Sequence, residues 1–168
     1  PSYLPTNTVL NLYDKDNDIR YNAYFTYDSI DAQTVPDFMI TYCKKWPGNP
    51  ELYEGKSNNI NKTKAFRISE MYLIAAEAYA MSGDETNASA MLNKLKTARV
   101  KGWSDKSYKG DALIKEIQDE YVRELFGEQP YFFDLKRWKK GLNRSSSEAQ
   151  DISYLPALGT DMVKSADD

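Results

Sequence analysis

Glu116, Glu120 and Glu124 recur every four residues, a spacing that lines three carboxylates along one face of a helix. Two carboxyl groups on a rigid support, about 5–9.5 Å apart, are what glycoside hydrolysis needs. The same spacing suits ion pairing, and Lys115, Arg123 and Arg137 lie close enough in sequence to supply the cations. The pairing reading is preferred. Glu70 and Glu77 sit one heptad apart, and Glu77 falls inside Ala75-Ala76-Glu77-Ala78-Tyr79, where partial burial demands a cation. Arg67, Arg99 and Arg123 are its candidate partners.

Two further motifs fail on their own chemistry. Asp14-x-Asp16-x-Asp18 opens like a calcium loop, but Ile19 replaces the turn glycine and Phe25 replaces the bidentate glutamate. A solvated loop is expected there. Gly55-Lys56-Ser57 ends like a phosphate-binding loop, but Pro50 stands where the first glycine belongs. The 168 residues include no histidine and one cysteine, Cys43. That excludes a Ser-His-Asp triad, a Cys-His pair, histidine-containing zinc sites and an intrachain disulfide within this sequence. No metal or cofactor is expected. With 22 basic and 25 acidic side chains and a net charge of −3, no nucleic-acid partner is expected either.

The elements that must hold these groups are mainly helices. Phe66 to Met81 carries two apolar stripes at helical spacing, Ile68/Tyr72/Ala75/Tyr79 and Met71/Ile74/Ala78/Met81. A helix apolar on two faces is expected to pack between neighbours. Gly83 is placed to end it, and Asp84 to cap a second helix that runs to about Arg99 with Ala88, Met91, Leu92, Leu95 and Ala98 on one face. The pair has the length of one tetratricopeptide unit. A third helix starts at Gly110-Asp111, with Leu113, Ile114, Ile117, Tyr121 and Leu125 inward. A short fourth, opened by Pro130, turns Tyr131, Leu135 and Trp138 inward.

Upstream, Arg20 to Tyr27 alternates like a half-buried strand, and Phe38 to Lys44 reads as its hairpin partner. The composition divides the chain into an irregular, hairpin-bearing part (1–65), a helical-repeat scaffold (66–141) and a polar tail (142–168). The longest apolar run, Met71 to Met81, is interrupted by Glu77 and falls short of the ~20 residues of a spanning helix. Pro1-Ser2-Tyr3-Leu4-Pro5 lacks the basic start and apolar run of a signal peptide and reads as a start in mid-protein.

Phe66-Arg67-Ile68-Ser69-Glu70-Met71-Tyr72-Leu73-Ile74-Ala75-Ala76-Glu77-Ala78-Tyr79 resembles the corresponding block of the SusD/RagB family of outer-membrane nutrient-binding lipoproteins. Further blocks follow in the family's order. They are Leu92-Asn93, then Glu120, Arg123, Glu124 and Leu125, then Phe133-Asp134-Leu135-Lys136-Arg137-Trp138. Leu12-Tyr13, Asp18-Ile19-Arg20-Tyr21 and Phe25 fit upstream. The resemblance spans roughly Leu10 to Gly141. It departs at Gly127-Glu128-Gln129-Pro130-Tyr131, where Tyr131 takes the place of a family arginine and its ion pair.

The resemblance implies tetratricopeptide-like helical hairpins of a SusD-like superhelix, with a short β-hairpin in an irregular N-terminal part. It implies the C-terminal piece of a cell-surface lipoprotein of a Bacteroidetes-type bacterium, with the lipid anchor outside this sequence. Such a protein is not an enzyme. It captures oligosaccharides, or less often peptides, above a SusC-like TonB-dependent outer-membrane transporter. Sugar rings are recognised by stacked aromatics and convergent hydrogen bonds. With 13 tyrosines and 3 tryptophans in the chain, the loop residues Trp46 and Tyr53, then Tyr42, are the expected ligand contacts. Arg67, Glu70, Glu77, Glu120, Arg123, Glu124, Asp134 and Arg137 are the expected structural ion-pairing set. A helical module that docks the transporter without touching ligand is the alternative. A hydrolase using Glu120 or Glu124 ranks third.

Overall fold

The computed structural model describes residues 4–29, 39–46, 48, 61, 66–128, 131–141 and 150. In chain order these form α1 (Asn7–Leu10), α2 (Ile19–Tyr24), β1 (Phe25–Ser29), β2 (Met39–Cys43), α3 (Ile68–Met81), α4 (Glu85–Thr97), α5 (Gly110–Leu125) and α6 (Tyr131–Arg137). The fold is mainly helical with one small antiparallel sheet, as expected. The chain forms two compact units, each discontinuous in sequence. One comprises Pro1–Asn11, Phe25–Lys44 and Pro130–Asp168, the other Leu12–Tyr24 and Lys45–Gln129. The sequential division at residues 65 and 141 does not coincide with them.

The second unit is a helical bundle of α3, α4 and α5. Gly83, at φ 84°, takes the left-handed turn that ends α3. The Asp84 carboxylate then accepts the Asn87 backbone N–H at 3.0 Å and caps α4. Leu113, Ile117, Tyr121 and Leu125 of α5 and Ala88, Leu92 and Leu95 of α4 are buried, close to expectation. Ile114 and Ala98 lie outside that core.

On α3 the expectation fails. The buried line is Ser69, Leu73 and Ala76. The small Ala76 lets neighbouring helices approach, and the two apolar stripes fall on either side of that contact. Ile68, Met71, Ile74, Tyr79 and Met81 are therefore exposed, the first and last at 79%. Among the described residues, α3 is covered on one face and not two.

The stretch from Arg20 to Tyr24 is also not strand. Asp18 Oδ1 accepts the Arg20 N–H at 2.9 Å, and the Asp18 carbonyl accepts the Tyr21 N–H at 3.0 Å. That starts α2, which places Arg20 and Tyr24 one turn apart on a common face. Strand begins only at Phe25. Asp14 to Asn17 form an exposed turn, as expected, but Asp18 is buried. Asp14 closes that turn, accepting from the Asp16 and Asn17 N–H groups at 3.2 and 3.1 Å and from Asn17 Nδ2 at 2.9 Å.

Gly127, at φ 71°, has a tighter constraint than the other turn glycines. A Cβ there would lie 3.2 Å from Trp46 Nε1, whereas one at Gly102, φ 68°, would meet nothing within 4 Å. Gly102→Ala is expected to cost about 1–2 kcal/mol from the left-handed backbone alone. Gly127→Ala should cost more, and the difference in urea unfolding reads the Trp46 contact. Equal costs would show that the indole moves freely.

In the first unit, α1 is capped by the Thr6 hydroxyl, which accepts the Val9 N–H at 3.3 Å. β1 and β2 pair antiparallel with Phe25 opposite Cys43, Tyr27 opposite Thr41 and Ser29 opposite Met39. On the outer side of β2, Gln150 completes the bonding of Thr41. Its Oε1 accepts the Thr41 N–H at 3.0 Å and its Nε2 donates to the Thr41 carbonyl at 2.7 Å and to the Pro5 carbonyl at 3.0 Å. On α6 only Leu135 is buried. Tyr131 is exposed and Trp138 is half-buried beside the Arg137 guanidinium, which corrects the expected inward set.

Candidate functional site

The carboxylates of α5 do not face a solvent cleft. Glu120 and Glu124 are fully buried, and each is surrounded by cations. Arg20 bridges the pair, donating Nη1 to Glu120 at 2.6 Å and to Glu124 at 2.9 Å while its other edge grips Asp18. Arg99 clamps Glu124 with two bonds of 2.9 Å, and Arg67 adds a third cation at 2.6 Å. Arg123 donates to Glu120 at 2.7 Å and also pairs with Glu116. Lys96 lies 2.5 Å from Glu116 and 3.4 Å from Glu120. At the far end of the row, Glu128 pairs with Arg67 and, at 2.5 Å, with Lys45.

The electrostatics follow from this crowding. Burial by itself pushes the Glu120 carboxyl up, but Arg123, Arg20 and Lys96 outweigh it and hold the group at about 2. Burial opposes ionisation of Glu124 too, and the bonds from Arg99 and the charge of Arg20 overcome it, so it lies below the usual carboxylate range. Burial pushes the Lys45 ammonium down, only partly offset by Glu128. A general acid needs a raised carboxyl value. Both central carboxyls are moved the other way.

Arg67, Glu120, Arg123 and Glu124 of the expected set thus meet in one cluster. Asp134 and Arg137 pair with each other at 3.2 Å in the other unit, and Lys115 pairs with Asp119. Glu70 and Glu77 are half-buried on α3. Arg67, Arg99 and Arg123 bond to Glu116, Glu120, Glu124 and Glu128. Of the expected ligand contacts, Trp46 is half-buried against Gly127 and Tyr42 is half-buried on β2. Tyr53 lies outside the described residues.

A different aromatic does line a cleft. Glu85, Ser89 and Asn93 project from one face of α4 and fasten the extended chain that leads into α5. Glu85 accepts the Gly110 N–H at 2.7 Å. Ser89 Oγ accepts the Tyr108 N–H at 3.1 Å. Asn93 Oδ1 accepts from the Lys106 N–H at 3.1 Å and from Trp103 Nε1 at 3.2 Å, while its Nδ2 donates to the Lys106 carbonyl at 2.9 Å. Trp103 is therefore set by a buried amide. The indole forms part of a cleft of about 450 Å³ whose walls also include Asp14, Asn17, Lys96, Lys101, Ser104 and Lys106. Lys96 and Lys106 place their ammonium groups 4.7 and 4.6 Å from the indole centroid.

Sequence reasoning passed over Trp103 and its holders. The signal was present in the i, i+4, i+8 spacing of Glu85, Ser89 and Asn93, polar residues on a helix whose remaining buried positions are mostly apolar. Among the described residues no cluster of metal-ligating side chains occurs, and no helix is long and apolar enough to cross a membrane.

The arrangement can hold a ligand with an apolar face and a polar rim. The sequence profile of the SusD family matches residues 37–161, a span that includes α3 to α6, Asn93, Trp103 and the Glu120–Glu124 pair. No curated protein and no solved structure matches the chain. With the family's profile running through most of its length, the chain belongs to the SusD family.

Proposed function

We propose that this chain captures an oligosaccharide at the cell surface for import across the outer membrane, lipid-anchored in its parent protein and working with a SusC-like TonB-dependent transporter. It performs no chemistry on its ligand. The observation that carries the reading is the Trp103 cleft. Its indole is fixed by Asn93, and hydroxyl, amide and ammonium groups surround it. A pyranose ring offers the matching surface, with an apolar face for the indole and hydroxyls for the rim. Membership of a nutrient- and glycan-binding family supports the ligand class. The lowered carboxyls of Glu120 and Glu124, bonded to arginines, support a binding role over hydrolysis.

Calorimetric titration with a panel of soluble oligosaccharides tests this. Trp103→Ala is expected to weaken binding about tenfold or more, equivalent to about 1.4 kcal/mol. Trp103→Phe, which keeps a ring, should retain most of the affinity. Sugar binding that ignores Trp103 would move the site elsewhere, with Trp46→Ala, Tyr42→Ala and Tyr53→Ala as the next variants.

One observation favours a second reading, a module that docks a protein partner. Phe66, Ile68 and Met81 are each at least 79% exposed around α3, with Met71 and Ile74 between them. A chain that binds no saccharide, yet loses co-purification with the transporter on Ile68→Glu, would place docking first.

A further inference from the structure

We infer that the Trp103 cleft selects an acidic saccharide, one whose pyranose ring carries a carboxylate or sulfate, over a neutral one; this rests on the cleft being the ligand site. The selectivity comes from which charges around the indole are already neutralised. Lys96 and Arg123 line the cleft but are buried and bonded to Glu116 and Glu120. Asp18 is buried and bonded to Arg20. These three are paired within the protein. Asp14 keeps its charge, but its two oxygens accept three bonds from the turn it closes.

Lys101 and Lys106 remain. Both are exposed, and neither has a carboxylate within salt-bridge distance among the described residues. Among the lining residues these two ammoniums outnumber the carboxylate of Asp14, so the lining carries an excess positive charge. Lys106 is moreover held over the same ring as Lys96. Two like charges against one indole repel, and the exposed one is free to turn outward. An anionic group at the cleft mouth would draw Lys106 off the ring, uncover the indole face for the sugar and bond to Lys106 and Lys101 together. The apolar ring face and the anion would thus be recognised side by side on one residue of the ligand. Charge-assisted bonds of this kind are stronger than those to neutral hydroxyls.

The test compares ligands that differ only in charge. The full chain is titrated calorimetrically with a galacturonate trimer, with its methyl ester, and with a sulfated galactose trimer that carries no carboxylate. The acid or the sulfated sugar is expected to bind about tenfold more tightly than the ester at about 50 mM salt, with the gap closing at about 500 mM. Which of the two binds tells carboxylate from sulfate. Lys101→Gln with Lys106→Gln, both on exposed positions, should erase the preference, bringing acid and ester to the same affinity. Equal affinity for acid and ester, or a preference that survives the double substitution, overturns the selectivity while Trp103-dependent binding of the ester keeps the cleft as a glycan site. If none of the three binds, the cleft is not a site for these sugars and the selectivity falls with it.

Discussion

Glu124→Gln is expected to lower the unfolding free energy of the chain by about 3–5 kcal/mol, the usual cost of leaving buried charges uncompensated. The carboxylate of Glu124 has no exposed surface and accepts from Arg20, Arg67 and Arg99. An amide keeps the shape of the side chain but removes its charge and turns one acceptor into a donor. At least one arginine then faces an N–H group instead of an oxygen. Domains are stable by only about 5–15 kcal/mol, so much of the native margin disappears. Urea unfolding followed by circular dichroism measures it. Lys115→Ala is the control on the same helix. Lys115 is 70% exposed and, among the described residues, pairs only with Asp119, so its loss should cost at most about 0.5 kcal/mol. If the two variants shift the midpoint alike, the buried cluster contributes no more than a surface pair.

Acid is expected to unfold the chain through the same groups. The carboxyls of Glu120 and Glu124 are lowered in the folded state, Glu120 to about 2 from an ordinary 4.5. Between those values the unfolded chain binds protons that the folded chain does not, so stability rises with pH across the window. The contribution is complete above about pH 4.5 and is lost as pH falls towards 2. For Glu120 alone the gap corresponds to about 3 kcal/mol at about 1.4 kcal/mol per pH unit. Thermal unfolding recorded from pH 7 down to pH 2.5 should show a falling midpoint that begins below about pH 5. Glu120→Gln should start lower and fall less steeply. A wild-type midpoint flat to pH 3 would mean that the arginines do not hold these carboxyls ionised.

Helix positions and their caps were legible in the sequence because they rest on local rules. Gly83 and Asp84 act within a few residues of where they stand. The β-hairpin was legible for the same reason, though its start was not. Arg20 sits in an alternating stretch; Asp18 starts its helix, and the carboxylates 100 and 104 residues further on, at Glu120 and Glu124, hold its guanidinium. The stripes of α3 misled because apolar periodicity marks faces that could be buried, and which one is buried depends on the neighbours. Ionic partners were half legible. The i, i+3 pair of Arg123 with Glu120 follows from spacing, whereas Arg99 and Arg67 reach Glu124 across 25 and 57 residues. For Trp103 the only sequence signal lay in the spacing of its holders Glu85, Ser89 and Asn93, since what makes the indole a ligand candidate is a cleft wall assembled from separate segments.

Gln150 has a consequence for how the molecule avoids its own kind. Thr41 sits on a two-stranded sheet, and such a sheet always leaves a margin where another chain can add a strand. At that rung the side chain supplies, from a single amide, the donor and the acceptor that an incoming backbone would have offered. An intruding segment would have to displace a partner of matching geometry to gain the same two bonds. The amide also ties down the Pro5 carbonyl, so the plug is held from a third point. At that rung, a margin that would invite self-association in a crowded solution is occupied from within.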